Sequence, residues 1–475
     1  MMIVLEYLKE IKDIYVNIIF IIMNIIILGD IMLDINHICE TTRNAPEAPI
    51  PIYNINKTTY ILGGAGNVAI NLNRLQTNVE VISIIGDDLY GKKIQDLLDS
   101  SNIKNKCYID TKRKTTQKTR LFCSNKLVNR HDIETTEPID INIEMMIYSY
   151  IEQSIFNVNA ILISDYNKGL ITETLCKKII KLANDNSIPT FIDPKLKNMN
   201  KYANCFCFKP NMYEATQLTS QTDIKLIFDT IKKEINSSHT VITDGENGMY
   251  LNNQETNFKD KDNINVIDVT GAGDIALCVI VYIWLLEKNM NLACSISNFI
   301  CGKSVQYVGN YNLKINDIYE YYLKDKIIYD YEINKLQYLN KIKQFNKIVF
   351  TNGCFDIIHS AHIKLLHFSK QQGDLLIVGL NSDDSIKRLK GDSRPINNIG
   401  ERTELLINLD CVDYVIIFAD DTPYNILSIL KPNILIKGGD YNKETIIGKE
   451  FVDQIMLFQF IDGKSSSNVI KQIKK

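Results

Sequence analysis

Short runs of β-branched and aliphatic residues recur along the chain, each bounded by Gly, Asn, Asp or Pro. Residues 79–85 (VEVISII), 160–163, 190–192 and 240–242 read as buried strands. Stretches with helical spacing separate them, as at 67–75 and 172–184. Strands alternating with helices predict βαβ units and a mostly parallel sheet. The pattern restarts near residue 346, with 348–350, 375–380, 414–418 and 434–436 as strands between helices. Between the two regions, residues 316–345 are rich in Tyr, Lys, Asp and Asn and lack Pro and Gly, which predicts a helical linker rather than a floppy tether. The expected organisation is an extension over 1–22, an α/β domain over 23–315, the linker over 316–345 and a second α/β domain over 346–475.

The beginning of the chain carries an apolar run at 14–28 (IYVNIIFIIMNIIIL), broken by Asn17 and Asn24. It is shorter than the roughly 20 apolar residues that a membrane span needs. The reading is a helical extension to about Phe20 and then a buried first strand at 24–28, with no membrane partner and no signal peptide.

Composition narrows this further. With 475 residues, 45% hydrophobic and 23% charged, the chain has core material for several domains. A formal net charge of -3 gives no basic excess for a nucleic-acid partner. The 11 cysteines include no CxxC pair, so they read as reduced, buried thiols of a cytoplasmic protein, and no side-chain metal set stands out.

The sharpest chemical signal is DVTGAGD at 268–274, followed by an apolar helix. Gly271 and Gly273 let backbone amides approach a ligand closely, and the amides with the helix dipole form an anion hole. Asp274 stands where a carboxylate can take a proton from an attacking hydroxyl. Other strings end predicted strands, where ligands bind in open α/β sheets: GDIMLD at 29–34, GGAGN at 63–67, DYNK at 165–168, DPK at 193–195, NMYE at 211–214 and TDGENG at 243–248. Competing nucleotide motifs fail. Gly302-Lys303-Ser304 ends like a P-loop, but the glycine required earlier is Ser297.

This set resembles the ribokinase-like (PfkB) sugar kinases across nearly the whole first region. The resemblance implies that Asp274 is the general base and that Gly271, Ala272 and Gly273 hold the transferring phosphoryl group. It implies that Asp34, Gly63, Gly64, Asn67, Lys168 and Lys195 hold the sugar. Asn211, Met212, Tyr213, Glu214, Thr243 and Gly245 would line the side that takes ATP with Mg²⁺.

In the second region, TNGCFDIIHSAH at 351–362 joins a predicted strand to a helix. His359 and His362, three apart, share one helix face, where imidazoles can meet triphosphate oxygens. KGDSRP at 390–395, Arg402, KGGD at 437–440 and GKSSS at 463–467 follow. This region resembles the cytidylyltransferase-like nucleotidyltransferases, with Ala361 where their HxGH motif has glycine. The resemblance implies that His359 and His362 are catalytic. It places the nucleotide among Asn352, Gly353, Phe355, Asp356, Lys390, Arg394, Lys437, Gly438, Asp440, Ser465 and Ser466, with Arg402 adding positive charge.

The two modules in this order, with APEAPIP at 45–51, resemble the bifunctional heptose enzymes of bacterial ADP-heptose synthesis over residues 24–475. The implied fold is a ribokinase-like αβα sandwich followed by a Rossmann-like nucleotidyltransferase domain with a parallel sheet. The implied substrates are heptose phosphates and ATP, and the implied assembly is a homodimer through the kinase domain. Two rivals stay open: a kinase for another sugar fused to a nucleotidyltransferase of other specificity, and a C-terminal half that binds without turnover because of Ala361.

Overall fold

The computed structural model describes residues 23–124, 126–195, 198–252, 264–343, 346–438 and 442–459. The extension over 1–22 and the expected ligands Asp440, Ser465 and Ser466 lie outside the described residues. The chain divides into two compact units between Ile318 and Tyr319.

In the first unit the described strands are β1 (Asn24–Gly29), β2 (Ile31–Asn44), β3 (Pro51–Gly64), β4 (Asn78–Ile85), β5 (Lys104–Ile109), β6 (Gln117–Cys123), β7 (Lys126–Ile133), β8 (Ala160–Ser164), β9 (Thr190–Asp193), β10 (Cys207–Phe208), β11 (His239–Thr243) and β12 (Met249–Leu251). Eight of them form one sheet in the order β12-β11-β10-β9-β8-β1-β4-β5. It is parallel except for β12, which runs antiparallel to β11. Ile25 to Leu28 of β1 are buried on both faces, as a covered parallel sheet requires. One face packs Ile26, Leu28, Ile82 and Ile163 against Leu175, Ile179, Ile227 and Ile231 of helices Glu173–Asp185 and Ile224–Ile235. Thr172 and Asp223 cap those helices through their side-chain oxygens. Helix Ala272–Glu287 is buried along most of its length, through Ile275 to Ile283.

The sequence pattern missed a second sheet. β2 leaves β1 after Gly29 and forms a four-stranded sheet, β3-β2-β6-β7, that stands as a lid. Its strands alternate poorly: β7 is exposed along its whole length, so no hydrophobic period marks it.

The second unit holds β13 (Ile327–Tyr329), β14 (Ile348–Gly353), β15 (Leu375–Asn381), β16 (Tyr414–Phe418), β17 (Ile434–Gly438) and β18 (Gln454–Phe458), all parallel, in the order β13-β16-β15-β14-β17-β18. Here the expected linker over 316–345 needs correction. From Tyr319 onward it belongs to the second unit. It supplies β13 to the sheet edge, and helix Ile333–Ile342 buries Leu336 and Leu339 with Ile328 in the core. Its tyrosines are packing residues: the rings of Tyr319 and Tyr322 lie 5.0 and 4.3 Å from that of Tyr338.

All 11 cysteines are free thiols. Among the described residues no helix is long and apolar enough to cross a membrane.

Candidate active sites

Asp274 lies buried in the first turn of helix Ala272–Glu287. Gly271 caps that helix at φ 77°, and a Cβ there would lie 3.0 Å from Asn310 Oδ1 and 3.4 Å from Asn67 Nδ2. Only glycine allows this close approach without strain. Asn67 Nδ2 donates to Asp274 Oδ2 at 2.7 Å, and the Tyr166 hydroxyl donates to Oδ1 at 2.8 Å. Burial pushes the Asp274 carboxyl up, while those two hydrogen bonds and Lys209 pull the other way. A buried carboxylate held by two donors at a helix N-terminus is suited to accept a proton.

Lys209 is 2% exposed and pairs with Asp193 at 2.8 Å. Burial works to lower its pKa, and Asp193, Glu214 and Asp274 outweigh that and raise it. Burial pushes Asp193 up to about 6 despite the lysine. The ammonium stands 4.0 Å from where a Cβ on Gly273 would sit, so a fixed positive charge faces the glycine loop.

On the lid side, Asp34 of β2 pairs with Arg120 of β6 at 2.6 Å. A Cβ on Gly63 would lie 2.5 Å from Asp34 Oδ2, and one on Gly64, at φ 58°, would lie 2.4 Å from Asp30 O. Asp30 Oδ2 accepts the backbone amides of Tyr166 and Lys168 at 2.8 and 3.0 Å, which fixes the loop carrying Tyr166. Lys168 pairs with Glu134 at 2.6 Å and Lys195 with Glu214 at 2.9 Å.

A cavity of about 470 Å³ adjoins the glycine loop, lined among others by Thr243, Gly245, Val266, Val269, Ala272 and Gly273. That size suits a nucleoside, and its partly apolar walls suit a base. Asn211 and Glu214 form a capping box, with hydrogen bonds of 2.7 and 3.1 Å. Asn211 therefore spends its side-chain oxygen on the helix. Met212 packs on the core and Tyr213 is exposed, and neither lines the cavity. Among the described residues no cluster of three or more His, Cys, Asp or Glu is arranged to hold a metal ion.

In the second unit, β14 ends at Asn352-Gly353 between β15 and β17. His359 is the N-cap of helix Ser360–Lys370, and its ring stacks on that of His362 at 3.8 Å and 19°. The Phe355 ring lies 5.2 Å from His362. Burial, then His359 and Lys390, push the His362 imidazole down to about 4. A neutral imidazole keeps one N–H that it can donate to a phosphate oxygen. Lys437, at the end of β17, donates to Asn352 Oδ1, and burial lowers it to about 8. Gly438 closes the same strand, and Lys390 is exposed at the end of helix Asp383–Lys390.

Asp356 is an anchor. It pairs with Arg394, and its Oδ1 accepts the amides of Ile396 and Asn397 at 2.7 and 3.0 Å. Arg402 corrects the sequence reading. It is fully buried and donates to the carbonyls of Cys354 and Asn381, each at 2.8 Å, to that of Asn397 at 3.1 Å, and to Asp383 at 2.6 Å. It pins the loops and has no charge to offer a nucleotide.

Residues 23–316 match the pfkB family carbohydrate kinases, and residues 350–474 match the cytidylyltransferase-like family. The chain is 38% identical over 465 residues to the bifunctional protein HldE of Aliarcobacter butzleri, covering 95% of this chain and 98% of the relative. It is 38% identical over 465 residues to the HldE of Campylobacter concisus, with the same coverage. The chain belongs to the bifunctional HldE family. A carbohydrate kinase from Agrobacterium tumefaciens is 19% identical with a TM-score of 0.50, covering 62% of this chain and 95% of that one, a likeness of fold alone.

As an HldE family member the chain is an enzyme with a carbohydrate kinase half and a nucleotidyltransferase half. Several site residues of this HldE chain escaped the sequence reading. Asp193 opens the DPK string already singled out, Tyr166 sits inside DYNK, and Lys209 directly follows strand β10, so each lay in or beside a recognised signal. Asn310 and Arg120 come from segments without a motif, and only the fold brings them to the site.

Proposed function

We propose that the first half phosphorylates D-glycero-β-D-manno-heptose 7-phosphate at O1, using ATP. The second half then joins heptose 1-phosphate to AMP from ATP, releasing ADP-heptose and pyrophosphate, once a separate phosphatase has removed the 7-phosphate. The observation that carries this reading is the buried Asp274, held by Asn67 and Tyr166 beside the glycine loop, in a chain whose other half bears a stacked histidine pair.

In the first reaction Asp274 takes the proton from the O1 hydroxyl as that oxygen attacks the γ-phosphorus of ATP. The amides around Gly271–Gly273, with Lys209, stabilise the negative charge that develops, so catalysis is mainly positioning and electrostatics. Asp193 and Glu214, now paired with Lys209 and Lys195, would be the carboxylates to hold an Mg²⁺ bound with ATP, and the ion would supply positive charge against the phosphates. In the second reaction a phosphate oxygen of heptose 1-phosphate attacks the α-phosphorus of ATP. The new P–O bond forms as the bond to pyrophosphate breaks, with His359, His362 and Lys437 meeting the leaving charge.

Use of ATP in both steps suits a cytoplasmic enzyme. The lid exposes Ile38, Ile55, Leu127 and Val128, an apolar set that suits pairing of two kinase halves into a homodimer. Leu127→Lys is expected to shift the species seen by light scattering to monomer, and a monomeric natural protein would remove the dimer.

The kinase reading is tested by ADP formation with heptose 7-phosphate against fructose 6-phosphate and ribose. Preferred turnover of the heptose is expected. Preferred turnover of another sugar would instead favour the rival kinase assignment.

A further inference from the structure

One face of the lid carries more positive charge than it can pair. β2 sets Asp34 opposite Lys118 of β6, and β7 sets Asp132 opposite the same lysine. Two residues on, and so on the same face, Arg120 stands opposite Arg130. Both arginines are occupied: Arg120 pairs with Asp34 at 2.6 Å and Arg130 with Asp132 at 2.7 Å. Lys118 is half-buried, and among the described residues no hydrogen bond or ion pair holds its ammonium. Its Nζ stands 5.5 Å from the centre of the Tyr166 ring, whose hydroxyl donates to Asp274. The two carboxylates beside it are each ion-paired to an arginine, so on this face three cations share two carboxylates, and Lys118 is the one with no direct partner among the described residues.

We propose that Lys118 binds the phosphate carried by the sugar substrate, and so makes the kinase half selective for a phosphorylated sugar. This rests on the reading of the first unit as a sugar-phosphate kinase. A half-buried cation without a partner is costly, and an anion placed on it removes that cost. Burial, with Arg130 and Lys168, lowers the lysine's pKa against the pull of Asp34 and Asp132, and an anion bound there would pull it back up. Its place over Tyr166, next to the base, puts a bound phosphate on the sugar side of Asp274. The γ-phosphate of ATP carries the same chemistry, and kinetics separate the two sources.

The test compares Lys118→Gln and Lys118→Arg with the natural protein, using heptose 7-phosphate, unphosphorylated heptose and ATP as varied substrates. Matched thermal melts check folding. Lys118→Gln is expected to raise KM for heptose 7-phosphate roughly 10- to 100-fold, the worth of a charge-assisted contact. KM for ATP and for unphosphorylated heptose should stay put, and Lys118→Arg should restore most of the loss. An unchanged KM for the sugar phosphate, or a rise in KM for ATP instead, overturns the proposal. A natural protein that ignores heptose 7-phosphate, yet loses affinity for another sugar phosphate in Lys118→Gln, overturns the heptose assignment and supports Lys118. A natural protein that turns over only unphosphorylated sugars overturns both.

Discussion

Asp274 acts through its neighbours, so they set its response to pH. It must be ionised to accept a proton, and burial raises its pKa, so kinase turnover falls on acidification above the range of an ordinary carboxylate. The Tyr166 hydrogen bond lowers that pKa. Tyr166→Phe should therefore move the acid limb of the kcat profile to higher pH, and a limb that stays or moves down contradicts the arrangement. Asp274→Asn should cut kinase turnover about 10²- to 10⁴-fold with ATP binding retained. In the other half, His362 is held near 4, so its imidazole resonance in the free protein should titrate there rather than near 6.5. His362→Ala should abolish pyrophosphate release and spare the kinase. Arg402 is a stability residue: Arg402→Met leaves Asp383 and several carbonyls unpaired and should cost on the order of 3–5 kcal/mol in urea unfolding. At this scale most of the motif strings stood out because they end predicted strands, and the structure does place them at strand ends. Arg402 was misread because a lone arginine in a sequence does not show whether its donors meet a ligand or the backbone.

Among elements, legibility followed burial. β4, β8, β9 and β11, and β14 to β17, are apolar runs because the parallel sheets cover them on both faces. The lid strands face solvent over much of their length and carry charged residues on both faces of the pattern, so no period of two marked them. β13 was hidden for a different reason. It is three residues long, in a stretch rich in Tyr, Lys and Asp, and its place at the edge is decided by β16. This sets where the chain can be cut. A fragment starting at residue 319 should be soluble and keep pyrophosphate release. One starting at 346 loses β13, Leu336 and Leu339, bares the edge of β16 and should aggregate. Equal behaviour of the two fragments would show that the segment from Tyr319 is only a connector.

For the whole molecule, the family pairing joins a kinase and a nucleotidyltransferase in one chain. In both halves most of the strings singled out in the sequence lie at strand ends of parallel sheets, where ligands bind in folds of this kind. The arrangement of Tyr166, Lys118 and Lys209 around Asp274 was not legible there, since only the assembled sheets bring them together. Ala361 is buried in the first turn after the histidine N-cap. Ala361→Gly should change adenylyl transfer by less than about tenfold if one methyl is accommodated. The most direct test of the two-enzyme account is pyrophosphate release by the purified chain with Mg-ATP and D-glycero-β-D-manno-heptose 1-phosphate, with CTP in parallel. The account predicts release with ATP and little with CTP. Release with CTP alone, or with neither nucleotide in a protein whose kinase is active, would contradict it.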